Sequence, residues 1–140
     1  MDRRNRLEIL AQADAAVLLL LAEEILATSE AEVIKQPETS LLMARANDSV
    51  TGSPFNLGEI LVTESEVRLG NHIGYSLIMG EESERALAAA VIDAALEWGH
   101  ASTSSIEEKL GQEESRLKME KEKEFGLVAQ TRVDFEIVRD

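Results

Sequence analysis

The sequence predicts an α+β fold in which helices near both ends of the chain flank a central antiparallel sheet. Apolar residues recur at helical spacing over residues 6–28 and 83–98, and at a period of two over residues 55–69. A Gly70-Asn71 pair then separates this extended stretch from a second one, which is the composition of a two-residue hairpin turn. A chain of 140 residues has room for one modest core, so we expect a single domain over residues 1–140.

The N-terminal pattern predicts two short consecutive helices, with Asp14 placed to cap the second. The basic start at residues 3–6, followed by an apolar run at residues 15–22, superficially resembles a signal peptide. Acidic residues such as Glu8 and Glu23 interrupt that pattern, and the run is far shorter than the ~20 residues needed to cross a bilayer. We therefore expect no membrane span and, with no cysteine in the chain, a cytoplasmic location.

The middle of the chain predicts the sheet. Residues 39–46 alternate as a strand, after an interruption at Pro37, and residues 47–54 have the composition of a loop. Residues 55–69 predict a half-buried strand, and residues 72–79 its hairpin partner. One face of the long strand carries Leu61, Thr63, Ser65, Val67 and Leu69.

The C-terminal part predicts two helices packed on, or extending from, the sheet. The first begins at Ser83 and ends at Gly99, and the second begins near Ser104 or Ser105, each of which matches a capping box. The charged run over residues 118–124 favours a solvated or partner-bridging helical face. Residues 128–138 alternate more like a strand.

The composition excludes several classes of function. With 27 acidic and 14 basic side chains the net charge is -13, which disfavours nucleic acid as a partner and makes a triphosphate or phosphonate hard to hold without cations supplied from elsewhere. No cysteine is present, which removes disulfides, thiolate nucleophiles and iron–sulfur clusters.

No sequence motif supports catalysis or metal binding by this chain alone. The only histidines, His72 and His100, have no ligand or orienting carboxylate at a recognisable spacing, so we expect both to be structural or solvent-facing. The glycines are isolated, and neither a phosphate-binding loop nor a nucleophile beside a base is present. The residues alone therefore predict a binding or scaffold role, with no metal and no cofactor bound by this chain.

Several short segments, in their order and spacing, resemble the PhnG family of the bacterial carbon–phosphorus lyase system. The likeness runs from about residue 31 to the last residue and is weak only near residues 100–125. The family's tail usually carries a second aromatic where this chain has Glu136, and this tail is about one residue shorter. The segments are Glu38-Thr39, Met43-Ala44-Arg45, Phe55-Asn56-Leu57-Gly58-Glu59, Val67-Arg68-Leu69, Gly74-Tyr75-Ser76, Gly80, Ile92-Asp93-Ala94, Arg132-Val133-Asp134-Phe135 and Val138-Arg139.

The resemblance implies a helper subunit in phosphonate activation. In that step a phosphonate such as methylphosphonate displaces adenine from the ribose C1 of MgATP, which is a substrate of the assembled complex. The resemblance assigns the nucleosidase chemistry to the large PhnI subunit and the later radical cleavage to PhnJ, and it places PhnH in the same core complex. It also implies that the chain pairs with itself as a homodimer.

We expect one group of residues to form a subunit interface or to complete a shared anion site, and none of them to be catalytic. The equally weighted alternative is that Arg45 and Arg68 are strand-surface residues and Phe55 is core. At the level of the whole protein, the alternative is a non-catalytic assembly protein; a stand-alone enzyme is not expected. The group comprises Arg45, Phe55, Asn56, Gly58, Glu59, Arg68, Tyr75, Arg132, Asp134 and Phe135, with Arg139 as a further basic candidate.

Overall fold

The computed structural model describes residues 2–100, 103–127 and 133–138. Within these residues the fold is α+β, as predicted, and the strands form one antiparallel sheet in the order β3-β2-β1-β4. The elements in chain order are α1 (Arg3–Gln12), α2 (Ala15–Leu26), β1 (Ala31–Asp48), β2 (Pro54–Leu69), β3 (His72–Met79), α3 (Ser83–Trp98), α4 (Thr103–Leu127) and β4 (Val133–Val138).

The two N-terminal helices form as the sequence predicts. A side-chain oxygen of Asp14 accepts a hydrogen bond from the backbone N–H of Ala16 at 2.8 Å, which caps α2. Asp2 caps α1 in the same way by accepting from the N–H of Asn5. The apolar side chains of both helices, with Leu18 and Leu21 fully buried, enter the main core.

The hairpin at Gly70-Asn71 is confirmed. Leu69 pairs with His72, and Gly70 has a φ of 58°, the conformation that the first central position of such a turn requires. Helix α3 then packs closely on this hairpin. A Cβ atom added at Gly74 would lie 2.0 Å from the carbonyl oxygen of Ala90, so only glycine allows this contact between β3 and α3.

Strand β1 is longer than predicted, because Pro37 does not end it. The register between β1 and β2 shifts between Val33 and Lys35 and again between Lys35 and Glu38. Pro37 lies within the second irregularity, where the strand does not need a regular N–H donor. The strands continue to Asp48 and resume at Pro54, so the turn covers only residues 49–53 of the predicted loop.

Strand β2 is buried along only part of its length. Thr63, Ser65, Val67 and Leu69 are fully buried, as predicted for one face, but Val62 and Glu64 of the other face are buried too, so the prediction of a half-buried strand was wrong there. Leu61 belongs to the same predicted face but is 42% exposed, because the helices that form the core cover only the later part of the strand. The prediction of one continuous buried face was therefore wrong at Leu61.

The C-terminal elements follow the prediction in outline. Helix α3 begins at Ser83 and ends at Gly99, and α4 begins at Thr103, so Ser104 and Ser105 lie in its first turn instead of capping it. Ile106, Leu110 and Glu113 of α4 are buried, and its charged run at residues 118–124 is exposed. The predicted final strand is observed over Val133–Val138, and residues 128–132 lie outside the described residues.

Helices long and apolar enough to cross a membrane are absent from the described part of the chain.

Candidate protein-binding surface

The distal halves of β1 and β2, with the turn between them, contribute no residue to the main hydrophobic core among the residues that the structure describes. We name residues 39–61 the arm. Its apolar side chains include Leu41, Phe55, Leu57 and Leu61, which are between 42% and 52% exposed, and Val50 at the turn, which is 90% exposed. Leu41 pairs with Leu61 on one face of the arm and Phe55 pairs with Ala46 on the other, so exposed apolar side chains occur on both faces, and such surfaces are typical of protein-binding sites.

A β-bulge shapes the arm. Ala44 pairs with Gly58 and Arg45 pairs with Asn56, so β2 has one extra residue, Leu57, at this point. Gly58 has a φ of 124°, a backbone conformation that side chains rarely allow. The glycine in the Phe55 to Glu59 segment therefore has a structural reason, which is to permit the bulge that redirects Leu57.

Most of the residues that the sequence singles out meet on or beside the arm. In the β1–β2 register Arg45 pairs with Asn56, Ala46 with Phe55, and Met43 with Glu59. Strand β4 lies along the other side of β1, where Ala46 pairs with Phe135 and Asn47 with Asp134. Segments about 80 residues apart in sequence are thus neighbours on one sheet.

The register also gives Arg45 two neighbours of different kinds. On β2 it faces Asn56, and on β4 it faces Glu136, the position at which this chain departs from the family pattern. Arg45 is exposed on β1, which fits the strand-surface interpretation and keeps it on the arm.

Arg68 and Tyr75 lie away from the arm, in the part of the sheet covered by helices. Arg68 pairs with Ile73 across β2 and β3 and forms an ion pair with Glu32 of β1. Tyr75 lies on β3, opposite Glu66, and its backbone N–H donates to Asp93 at 2.9 Å. Arg132 and Arg139 fall outside the described residues.

Sequence reasoning missed a buried charge cluster around Asp93. This aspartate is completely buried in α3. Its Oδ1 accepts from Arg6 Nε at 2.8 Å, and its Oδ2 accepts from Arg3 Nη2 and from the N–H of Tyr75, both at 2.9 Å. Because every donor in this set is aimed at the carboxylate, the cluster fixes α1 against α3 and β3.

Glu97 extends the same cluster toward solvent. It forms ion pairs with Arg6 and with Arg3. The hydrogen bond from Arg6 is the main reason that the pKa of Glu97 lies below its usual value. The hydrogen bond to Asp93 likewise raises the pKa of Arg3. These shifts favour the charged forms of Glu97 and Arg3, and the cluster serves as a structural tie.

A sequence signal for this cluster did exist. Asp93 is the only charged residue in the otherwise apolar stretch between Ala86 and Leu96, and Arg3 and Arg6 are three residues apart on α1, so they share a face. What the sequence does not supply is the pairing, since Arg6 and Asp93 are 87 positions apart.

The two histidines have different surroundings, and the buried Nδ1 of His72 has no hydrogen-bond partner among the described residues. His100 is buried, and its Nε2 lies 2.8 Å from Ser29 Oγ and 3.2 Å from Thr28 Oγ1, which joins the end of α3 to the segment after α2. His72 follows the hairpin turn and is half-buried. Within the described ranges, no three histidine, aspartate or glutamate side chains are grouped so as to hold a metal ion.

Comparison with known proteins supports the resemblance seen in the sequence. The family model described as "Phosphonate metabolism protein PhnG" matches residues 1–140. A curated relative from Rhizobium meliloti (strain 1021), the alpha-D-ribose 1-methylphosphonate 5-triphosphate synthase subunit PhnG, is 35% identical over 135 residues, which cover 96% of this chain and 86% of the relative. The chain therefore belongs to the PhnG family of phosphonate metabolism proteins.

Proposed function

We propose that this chain is an accessory subunit of an α-D-ribose 1-methylphosphonate 5-triphosphate synthase in organic phosphonate catabolism. The observation that carries the proposal is the 35% identity to the Rhizobium synthase subunit across almost the whole of both chains. In the proposed reaction an oxygen of the phosphonate attacks ribose C1 of MgATP. The bond from C1 to the adenine nitrogen breaks, and adenine leaves with a proton.

The charges of the chain support an accessory role. Its net charge of -13 opposes a bound triphosphate. Several of its arginines are already held by acidic groups: Arg3 and Arg6 by Asp93, Arg68 by Glu32, and Arg116 by Glu113. A partner subunit would therefore supply most of the cationic groups and the magnesium site.

The arm is the part of the chain that we assign to the partner. We propose that it docks on the catalytic subunit, PhnI, stabilises the active conformation of that subunit, and directs ribose C1 toward phosphonate instead of water. Half-exposed Phe55 and Leu57 would supply the apolar contact. Arg45 would pair with an acidic group of the partner or complete an anion site at the boundary.

The test is the reaction product of purified PhnI with and without this chain. In its presence we expect adenine release to become coupled to formation of the methylphosphonate ester; in its absence we expect hydrolysis at ribose C1 or no turnover. Product analysis by phosphorus NMR distinguishes these outcomes. Unchanged products would contradict the proposed function.

Single substitutions test which surface residues are needed for assembly and for turnover. Arg45→Ala and Arg132→Ala test two of the basic candidates, of which the first lies on the arm and the second immediately precedes Val133 in the sequence. Arg4→Ala is a matched control, since Arg4 lies on α1 and its side chain is 90% exposed, with only a 3.6 Å ion pair to Glu8. Wild-type assembly and turnover in both candidates would remove them from the proposal.

The alternative function is an assembly protein with no influence on the chemistry. The exposed charged face of α4, over residues 118–124, fits a partner-bridging helix and favours this alternative. Under it, omission of the chain reduces the solubility or yield of PhnI, PhnH and PhnJ but leaves the product of PhnI unchanged. Co-expression and co-purification of the four subunits from the cytoplasmic fraction supply the material for both tests.

Self-association is a further part of the proposal. The exposed apolar arm gives the chain a surface that a second copy can bury. Light scattering at micromolar concentration measures the mass directly, and a stable monomer would contradict a homodimer.

A further inference from the structure

The edges of the sheet differ in how their backbone hydrogen-bonding groups are covered. One stretch of edge is left uncovered among the described residues. A strand edge exposes backbone N–H and C=O groups that pair readily with another chain, so folded proteins cover or disrupt such edges. On the outer edge of β3, Asp93 accepts from the N–H of Tyr75, and Arg3 donates to the carbonyl oxygen of Ile73 at 3.1 Å. The helices thus cover this edge with side-chain hydrogen bonds.

The outer edge of β1 is disrupted in one half and paired in the other. Over residues 31–38 it carries two register shifts and Pro37, both of which disfavour addition of a strand. Over residues 43–48 it pairs with β4. Among the described residues, only residues 39–42 of this edge are neither disrupted nor paired with β4.

The outer edge of β2 along the arm has neither kind of protection beyond the bulge at Leu57. Strand β3 ends at Met79, opposite Val62, and the N–H of Gly80 closes the ladder by donating to the carbonyl oxygen of Leu61 at 2.7 Å. From Pro54 to Leu61, β2 pairs with no strand on this side among the residues that the structure describes. The side chains here are exposed, apart from the partly buried Ile60.

The direction of the backbone N–H and C=O groups alternates along a strand, and this shows which groups of β2 face the uncovered side. The N–H and C=O of one residue point to the same side, and the next residue points to the other. Because the Leu61 carbonyl faces the β3 side, the N–H and C=O of Glu59 also face that side, where β3 is no longer present. Glu59 therefore offers a donor and an acceptor to an incoming strand.

We propose that residues 54–61 receive an extended segment of a partner polypeptide, which adds to the sheet as a fifth strand beside β2. This inference rests on the proposed function, since it requires a partner subunit. Backbone hydrogen bonds to Glu59 give the affinity, and apolar side chains of the segment pack on Leu57 and Leu61.

Charge determines the composition of the incoming segment. Glu59 is the one charged residue between Pro54 and Leu61, and Glu81, which directly follows Gly80, is exposed at the point where the added strand meets the end of β3. The segment therefore carries Lys or Arg beside these carboxylates. A second copy of this chain suits this edge less well, because its own residues 54–61 carry Glu59 and no Lys or Arg.

Hydrogen exchange tests the proposal on the wild-type chain. The probe is the chain alone and the chain in the complex that co-purifies with the synthase subunits, with exchange resolved to single amides by mass spectrometry. We expect the Glu59 amide to exchange at least about tenfold more slowly in the complex, since it gains a hydrogen bond there. Equal rates in an active complex overturn the inference and leave the proposed function intact. Absence of any complex or activity overturns both.

Protection of the Glu59 amide in the free chain, together with a mass of two copies, would show that the occupant is a second copy and would contradict the proposal of a basic partner segment.

A pair of variants then isolates the backbone donor. Glu59→Pro removes the N–H on the outer side, where proline is tolerated, whereas Glu59→Ala keeps it. Both remove the carboxylate, so the difference between them measures the hydrogen bond.

We expect Glu59→Pro to bind the partner subunits about tenfold more weakly than Glu59→Ala, the size of effect that one intermolecular hydrogen bond gives. Thermal unfolding of the free variants controls for folding. Glu59→Lys should weaken binding further at low salt, and Glu122→Lys is the matched control, because Glu122 is an exposed residue of α4. Equal binding by Glu59→Pro and Glu59→Ala would contradict strand addition.

Discussion

Strand β2 carries apolar side chains in two regions, and they are buried in one region and exposed in the other. In the base, as we name residues 62–79 with the helices packed on them, Val67 and Leu69 are fully buried in the main core. In the arm, Leu57 and Leu61 of the same strand are 49% and 42% exposed. An apolar side chain on this strand therefore stabilises the fold in one region and remains available for a partner in the other.

The difference comes from the helices and from the charge cluster that holds them. Arg6 and Arg3 tie α1 to Asp93 of α3, and β3 contributes the N–H of Tyr75 to the same carboxylate. Among the described residues, the arm contributes nothing to the main core cluster and is held by its own β1–β2 pairing and by β4, with Leu42, Ala44 and Ala46 buried on one of its faces. We therefore expect the base to set the stability of the fold and the arm to set its association.

Removal of the Asp93 carboxylate should have the largest effect on the base. Asp93→Ala removes the fully buried acidic partner of Arg6 and leaves it only the partly exposed Glu97, and loss of a buried ion-pair partner typically costs about 3–5 kcal/mol in the free energy of unfolding. Urea unfolding followed by circular dichroism measures it. In a double-mutant cycle, Arg6→Ala combined with Asp93→Ala should cost less than the sum of the two single changes; strict additivity would contradict direct coupling.

A matched pair of leucines on β2 compares the two regions directly. Leu69→Ala should cost about 2–5 kcal/mol in the free energy of unfolding, because the side chain is fully buried. Leu57→Ala should cost less than about 1 kcal/mol in the free chain, because it is half-exposed and lies on a bulge. Among variants that fold, Leu57→Ala should weaken assembly with the synthase subunits more than Leu69→Ala does. A large loss of stability in Leu57→Ala would remove the distinction between arm and base.

Two glycines test how tightly the base is packed. A Cβ at position 74 would meet Ala90 and Ala94 backbone atoms at 2.0 Å and 2.3 Å, so Gly74→Ala should cost roughly 3 kcal/mol, at the upper end for overpacking. Gly111→Ala on α4 meets nothing within 4 Å and should stabilise the helix by about 0.5–1 kcal/mol. Thermal unfolding of the two variants should therefore shift in opposite directions.

The smallest effect is expected from Glu97, and it depends on pH. Because Arg6 lowers the pKa of Glu97 in the folded chain, the carboxylate stabilises the fold above the ordinary glutamate range, and this contribution is lost as the pH falls through the lowered pKa. Glu97→Gln should be less stable than wild type at pH 7 by up to about 1 kcal/mol. The difference should shrink below about pH 4, which is close to the ordinary pKa of glutamate. A difference independent of pH would contradict the ion pair.

The sequence predicted those features that depend on local chemistry. The cap at Asp14, the turn at Gly70-Asn71 and the end of α3 at Gly99 each follow from residues that are neighbours in the chain. The prediction from sequence failed where pairing between residues distant in the chain determines the structure. Pro37 predicts an end to β1, but two register shifts against β2 absorb it.

The candidate surface shows the same limit. The segment from Phe55 to Glu59 could be singled out, because its residues stand together in the sequence. The exposure of Leu61 could not, since Leu61 and Leu69 continue one alternating pattern, and only the extent of the helix layer separates them. The Asp93 cluster was missed because its partners come from the other end of the chain.

The packing of Trp98, the single tryptophan in the sequence, gives the molecule a built-in optical reporter for one of the two regions. Its indole lies against the hairpin turn, where a Cβ on Gly70 would be 3.0 Å from Cε2, and its ring centre is 6.0 Å from that of His100. Its fluorescence emission should therefore shift when α3 separates from the turn. Binding of a strand along residues 54–61 should leave the emission unchanged, so unfolding can be followed in the assembled complex without a label.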